Sequence, residues 1–260
     1  MPTFIPKKYW NQTHSQYQGL QAVGYVALGY PFNIWMYRLR ERVFLRVLTK
    51  LKIKKTISIL DIGSGVGFYP KLFKKWRFRN ITASDFSSEA IQTLKKIRAI
   101  KVKKIDIGVE QPLSSSYDVV TCFDMLYHIV DDKAYRRAFT NLAQLTKKGG
   151  LLILSENFLP DYEYRGVHQV CRSEKTIMNL LKKNGFKLVH RQPVFFLMNT
   201  PISSRNKIHS FFWKGIRVII GKFHFVGYIL GPVLYPFDLC FSRIYHRGPS
   251  TEYIVAQKLK

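Results

Sequence analysis

Asp61, Gly63, Gly65 and Gly67 stand on alternate positions of the stretch Leu60-Asp-Ile-Gly-Ser-Gly-Val-Gly67, and Asp85 follows Gly65 by 20 residues. Glycine lets a backbone turn sharply and approach a ligand closely, because no Cβ intervenes. The spacing is not that of a pyrophosphate loop: G-x-G-x-x-G would need glycine at position 68, where this chain has Phe68. A carboxylate two residues ahead of the first glycine would repel a diphosphate. It suits a ligand with a cationic amino group and no phosphate. Asp85 lies at the distance from the glycine loop at which an acid hydrogen-bonds ribose hydroxyls.

Strand, glycine loop and helix must position these groups. Residues 57–62 are an apolar run, and Phe68, Leu72, Phe73 and Trp76 after the loop share one helical face. A second short strand, 80–85, ends on Asp85. Ser87-Ser-Glu89 then opens a helix with a capping-type sequence, and Ala90, Ile91, Leu94 and Ile97 are its inward stripe. Strands over 102–106 and 117–122, a helix over 132–147 stopped by Lys147-Lys-Gly-Gly150, a strand over 151–155, a helix over 173–184 closed by Gly185 and a strand over 186–189 (resuming at 194–198) continue the alternation. Residues 252–257 read as the last strand. The pattern predicts an α/β fold: a Rossmann-like, doubly wound, seven-stranded sheet. Of only 16 acids, five (Asp61, Asp85, Asp106, Asp124 and Glu156) fall at or just past the ends of strands one to five. Ligands of open α/β sheets bind outside those ends.

The Asp-x-Gly-x-Gly-x-Gly stretch, with its later acid, resembles the first motif of the class I S-adenosylmethionine-dependent methyltransferases, of the small-molecule type. The resemblance spans roughly residues 57–198 and 251–258. It implies strand seven antiparallel and S-adenosylmethionine as cofactor. Gly63, Ser64, Gly65 and Gly67 would pass under its methionine part, Asp61 would hold its amino group, and Asp85 with neighbouring Phe86 would meet the ribose. Asp106 and Ile107 would flank the adenine, and Phe123 would offer its backbone to the methionine part. The stretch Phe123-Asp-Met-Leu-Tyr-His-Ile-Val-Asp-Asp132 resembles a loop that reads Leu-His-His and then an acid in many relatives; here Tyr127 takes the first histidine's place and His128 the second. A histidine there could take the proton of an acceptor hydroxyl, or could be structural. His168, ahead of the helix capped by Ser173, is the other candidate base, and it too could merely satisfy backbone groups. Asp118 reads as structural. No Asn-Pro-Pro-Tyr or Asp-Pro-Pro-Tyr stretch of amino-group nucleic-acid methylation is present.

The 260 residues, 47% hydrophobic, suffice for one sizeable domain with additions. Three cysteines far apart argue for a reducing, cytoplasmic compartment and against a zinc site, and no apolar signal core opens the chain. The net charge of +26 is spread along the chain rather than held in one stripe, which makes a nucleic-acid partner the lesser reading, an RNA methyltransferase being the enzyme alternative and a non-catalytic cofactor-binding protein the other. Four regions follow: an N-terminal helical cap over 1–56, with Tyr9, Trp10, Tyr17 and Tyr25 ahead of a helix over 32–50; the core over 57–198; an apolar insertion over 199–250; and the closing strand over 251–260. The insertion's uncharged run, 223–237, is 15 residues long and holds Pro232 and Pro236, so it is expected to be too short and broken to cross a membrane. It is expected to be a lid over the substrate pocket, with a peripheral contact to an anionic membrane at the inner face, or a dimer interface, as alternatives. The expected activity is O-methylation of a small-molecule, glycan or lipid-linked acceptor.

Overall fold

The computed structural model describes residues 6–16, 19–22, 24–109 and 115–259; residues 1–5, Tyr17 and the chain start read above for a signal core lie outside them. In chain order the helices and strands are α1 (Pro6–Gln16), α2 (Gly29–Lys50), β1 (Ser58–Ile62), α3 (Phe68–Lys75), β2 (Asn80–Asp85), α4 (Ser88–Lys95), β3 (Lys101–Lys104), β4 (Tyr117–Cys122), α5 (Asp132–Leu145), β5 (Thr146–Asn157), β6 (Tyr164–Arg165), β7 (Val170–Cys171), α6 (Glu174–Lys183), β8 (Phe186–Pro193), α7 (Lys207–Lys222), α8 (Gly227–Ile244) and β9 (Thr251–Lys258). The seven-stranded sheet has the order β3-β2-β1-β4-β5-β9-β8, mixed, with one antiparallel strand. Strands β1 to β5 pair in parallel, and the order reverses between β1 and β4. That reversal opens a crevice at the strands' carboxyl ends. Ile59, Leu60 and Ile62 of β1 and Val119, Val120 and Cys122 of β4 are buried, as expected of central parallel strands covered on both faces.

The chain divides into two compact units. One holds Met1–Tyr17, Lys54–His190 and Ile254–Lys260; the other holds Gln18–Ile53 and Arg191–Tyr253. In the first, helices start where side chains replace missing backbone partners: Ser87 accepts from the Ala90 amide (3.3 Å), Asp131 from that of Ala134 (2.7 Å) and Ser173 from that of Thr176 (3.3 Å). Tyr135, Ala138, Phe139, Leu142 and Leu145 recur at three- and four-residue steps and form α5's buried face.

Three expectations need correction. Helix α5 stops at Leu145 rather than at the Lys-Lys-Gly-Gly stretch: Thr146 turns extended, its hydroxyl donating to the Leu142 carbonyl at 2.7 Å. Residues 147–150 then belong to β5, as a register shift opposite Asp118 between the pairs Tyr117–Thr146 and Val119–Leu151. Strand six does not resume at 194–198. The amides of Phe196, Leu197 and Met198 donate instead to the Asp238 carboxylate of α8, at 3.1, 2.7 and 3.1 Å. Finally, the prolines do not break the apolar run: α8 continues through Pro232 and Pro236. Close packing on α2 outweighs the lost backbone bonds. Gly227 and Gly231 lie so near Phe32 and Trp35 that a Cβ at either would clash. Among the described residues, His224–Ile244 is one helical stretch long and apolar enough, by length and composition, to cross a membrane.

Asp238→Ala would leave three amide donors without their charged acceptor. We expect a loss of about 3 kcal/mol in unfolding free energy, read by urea denaturation, with Asp238→Asn losing less; an unchanged midpoint would show that water replaces the carboxylate.

Candidate functional site

The glycine loop hangs on two buried carboxylates. Asp61 lies one residue before the end of β1. Its Oδ1 accepts from the Thr121 hydroxyl of β4 at 2.5 Å and its Oδ2 from the Ser64 hydroxyl of the loop at 2.7 Å. The Ser64 amide donates to the Ser84 carbonyl (2.8 Å), and the Ser84 hydroxyl to the Asp61 carbonyl (3.0 Å), tying loop, β1 and β2 together. Burial lifts the Asp61 pKa to about 7, with those two hydroxyls opposing the rise and the Asp85 charge adding to it. Among the described residues no Lys or Arg pairs with it. A carboxylate so placed favours an incoming cation.

Asp85 ends β2. Its Oδ2 accepts from the Gly65 amide at 3.0 Å and its Oδ1 from the Ser87 amide at 2.9 Å. Both carboxylate oxygens thus hold the backbone at the carboxyl end of β2. Gly63 has φ +70°, and a Cβ there would come within 2.7 Å of Met125 Cγ. Gly67, at φ +79°, caps α3 in the left-handed region. Side chains at these positions would both strain the turn and fill the cradle. The residues present therefore fit a ligand with a cationic amino group and a ribose.

The remaining cofactor candidates spread around the strand ends. Phe86 is half-buried. Asp106 is exposed, two residues past β3, and accepts from the Gly108 amide at 3.0 Å. Ile107 is buried in the hydrophobic core, and its carbonyl accepts from Asn141 at 2.8 Å. Phe123, just past β4, is buried with its ring 4.0 Å from that of Tyr69. Asp118 serves the sheet, as expected: it accepts from the Ser58 amide and hydroxyl (2.8 and 2.6 Å) and pairs with Lys147.

The structure brings His128 and His168 together. His128 Nδ1 lies 2.9 Å from the His168 carbonyl, and the two rings stack at 5.9 Å. A carbonyl only accepts, so Nδ1 carries the proton and Nε2 presents a lone pair. Helix α1 covers both rings: Tyr9 stacks on His168 at 5.5 Å and the Trp10 ring meets His128 edge-on at 4.7 Å. Tyr127 flanks His128 at 4.5 Å. Desolvation lowers the His128 pKa to about 4, so its imidazole is neutral at ordinary pH.

Glu156, marked in the sequence by its place at the end of strand five, belongs to a buried polar cluster whose other contacts escape sequence reading. Glu156, near the end of β5, accepts from the Tyr135 hydroxyl at 3.3 Å and the Asn157 amide at 3.2 Å, and burial lifts its pKa to about 8. Arg172 lies 3.5 Å over the Tyr135 ring, donates to Asp132 Oδ1 at 2.8 Å and to the Ile129 carbonyl at 3.0 Å, and leaves Nη1 buried without a partner. The acid after His128 was the one sequence sign of this clamp on the histidine loop.

A family model described as a methyltransferase domain matches residues 32–191. The ubiquinone biosynthesis O-methyltransferase of Xanthomonas campestris pv. campestris (strain B100) is 30% identical over 109 residues, covering 37% of this chain and 41% of that protein. The chain thus matches about two fifths of that relative's length. EEF1A lysine methyltransferase 2 of Danio rerio is 24% identical over 198 residues, covering 72% of this chain and 77% of that protein. Among solved structures, the magnesium protoporphyrin IX methyltransferase of Synechocystis PCC 6803 with bound SAH superposes with a TM-score of 0.59 at 16% identity, over 97% of each chain. That likeness shows the fold.

The raised carboxyl pKa values set a pH dependence of stability. Asp61 and Glu156 keep protons in the folded protein that the unfolded chain sheds above about pH 4. Each therefore costs stability as pH rises toward 7 and 8. His128 works the other way below about 6.5, because the unfolded imidazole binds a proton that the folded one refuses. Between about pH 6.5 and 7.5 the carboxyl effect dominates, before the buried thiols Cys122 and Cys171, which burial also holds protonated, add to the loss. The ligand-free protein should lose melting temperature across that window, and Asp61→Asn with Glu156→Gln should flatten the loss. An equal slope in the double variant would assign the protons elsewhere.

Proposed function

We propose an acceptor from one premise: the chain belongs to the methyltransferase-domain family, of the class I S-adenosylmethionine-dependent type. It is a methyltransferase, and S-adenosylmethionine is its cofactor. The acceptor group is a hydroxyl on a small-molecule or lipid-linked compound of aromatic character. One observation carries this: a neutral imidazole, His128, held with its Nε2 lone pair available and surrounded by the rings of Trp10, Tyr127 and His168.

Asp61 holds the cofactor's amino group, and the backbone of Gly63, Ser64, Gly65 and Gly67 underlies its methionine part beside the Phe123 backbone. Asp85, with neighbouring Phe86, takes the ribose hydroxyls, with Asp106 and Ile107 on the adenine side. When bound, the cofactor supplies a methyl group on a positively charged sulfur, open to in-line displacement. Little covalent help is then needed, and the protein's share is to orient the acceptor, exclude water and take one proton. His128 Nε2 takes the hydroxyl proton, while the His168 carbonyl fixes the tautomer and accepts from the Nδ1–H of the resulting imidazolium. Arg172, bonded to Ile129 and Asp132, holds the histidine loop. A base with a pKa of about 4 has little drive to deprotonate an ordinary alcohol. It suits a more acidic hydroxyl on an aromatic ring, which the surrounding rings can stack against. The similarity to O-methyltransferases of ubiquinone biosynthesis supports that choice. The longer match to a lysine methyltransferase favours an amine as the second reading, since an ammonium must also lose a proton before it is methylated.

Cofactor affinity, read by calorimetry, should rise as pH increases through about 7, because the cationic amino group needs Asp61 ionised. Asp61→Asn should abolish the rise, and Asp85→Asn should weaken binding about tenfold or more. No binding at millimolar cofactor would overturn the site assignment. With a panel of catechols, alkyl alcohols and lysine peptides, methylation of catechols is expected. His128→Gln should lower kcat by about 10² to 10⁴ while leaving cofactor affinity unchanged; full activity in that variant would exclude His128 as the base.

A further inference from the structure

Helix α8 is built inside out. Its inner side presents Gly227, Gly231, Leu234, Asp238 and Ser242, all buried, and α2 packs closely on Gly227 and Gly231. Its outer side presents Phe225 of the preceding turn, then Ile229, Val233, Phe237 and Ile244, all more than half exposed. These recur at four- and seven-residue steps, so they form one continuous stripe. The neighbouring helix α7 repeats the pattern. Trp213, Ile216 and Ile220 are buried, while Ile208 is 81% exposed, Phe211 80% and Val218 64%, again along one face. An ordinary surface helix of a soluble domain turns its large apolar residues inward. Two adjacent helices that turn theirs outward mark an interaction surface.

Charge identifies what covers it. Residues 199–250 contain seven Lys and Arg and a single acid, Asp238, and that acid is fully buried and spent on three amides. Lys207, Lys214 and Arg217 are exposed and lie along the flank of the α7 stripe, with Lys222 at its end and Arg243 at the edge of the α8 stripe. A second copy placed face to face would bring these cations together with no carboxylate of the segment to offset them. An apolar phase bordered by anions satisfies both features: side chains such as Phe211 and Ile229 enter the acyl boundary while the lysines reach back to the headgroups.

We propose that the outer face of α7 and α8 seats this protein on a lipid bilayer bearing anionic headgroups. The contact is interfacial rather than spanning. Helix α8 has the length and composition to cross a membrane, but its inner side is committed to α2 and to residues 196–198. An interfacial seat fits a lipid-linked methyl acceptor, although the surface argument stands without one.

Flotation of the full chain with vesicles tests this, and needs neither acceptor nor activity. The protein should rise with vesicles of phosphatidylcholine and phosphatidylglycerol, rise much less with phosphatidylcholine alone, and detach as salt is raised. Phe211→Glu with Ile229→Glu should abolish the binding. Lys214→Glu with Arg217→Glu should weaken it by more than twentyfold, at about fivefold for each cation lost. Both variants replace exposed side chains, and unchanged S-adenosylmethionine affinity would show them to be folded. Failure to float with anionic vesicles would overturn the proposal, as would flotation indifferent to both variants. So would a dimer in light scattering that Phe211→Glu splits, which would assign the face to a second copy.

Discussion

A carboxylate buried without a cation is the constraint around which the core is arranged. Isolated ionised groups are expensive to remove from water, and Asp61 reduces that cost through two hydroxyls drawn from different elements, Thr121 of β4 and Ser64 of the glycine loop. Those bonds place the loop directly beyond the point where the strand order reverses. Asp85 reinforces the arrangement from β2 by taking the Gly65 amide. The two acids that would recognise the cofactor thus also hold the loop in the shape that receives it. The contacts that order the loop are made by the same two acids that are proposed to bind the cofactor.

The second half of the site is made of rings. Helix α1 has no acids in its first turn and few buried residues of its own, so its place in the unit rests on side-chain contacts such as Tyr9 on His168 and Trp10 on His128. The same rings remove water from His128 and keep it neutral. Covering His128 and lowering its basicity are one event here. Glu156, Tyr135, Arg172 and Asp132 support the loop through Arg172, which bonds the Ile129 carbonyl and the Asp132 carboxylate.

Much of the core was legible from residue types alone, because central parallel strands and glycine turns leave few alternatives. The spacing of Asp61, Gly63, Gly65, Gly67 and Asp85 marked the glycine loop and the acids that hold it, and strand two was read to its observed ends at Asn80 and Asp85. Strand ends governed by long-range contacts were not legible. Thr146 leaves α5 early through a bond to its own preceding turn and a strand pairing with Tyr117. Residues 194–198 look like a strand by composition, yet the amides of 196–198 go to an aspartate 40 to 42 positions away. The prolines of α8 broke the helical reading because propensity is local, whereas the glycine contacts to Phe32 and Trp35 that hold α8 are not. The pairing of His128 with His168 and the α1 rings joins three distant segments, and no spacing in the chain announces it.

The place of β9 in the sheet bears on how the chain is made. Among the described strands it follows β5 and β8 in the chain, yet it lies between them in the strand order. Until residues 251–258 emerge, both of those strands keep an open edge, and an open edge invites pairing with other chains. The apolar α7 and α8 emerge before those residues, so the nascent chain carries open strand edges and the outward apolar faces of both helices at the same time. Such species aggregate readily, and cover for those faces during synthesis would favour folding over aggregation.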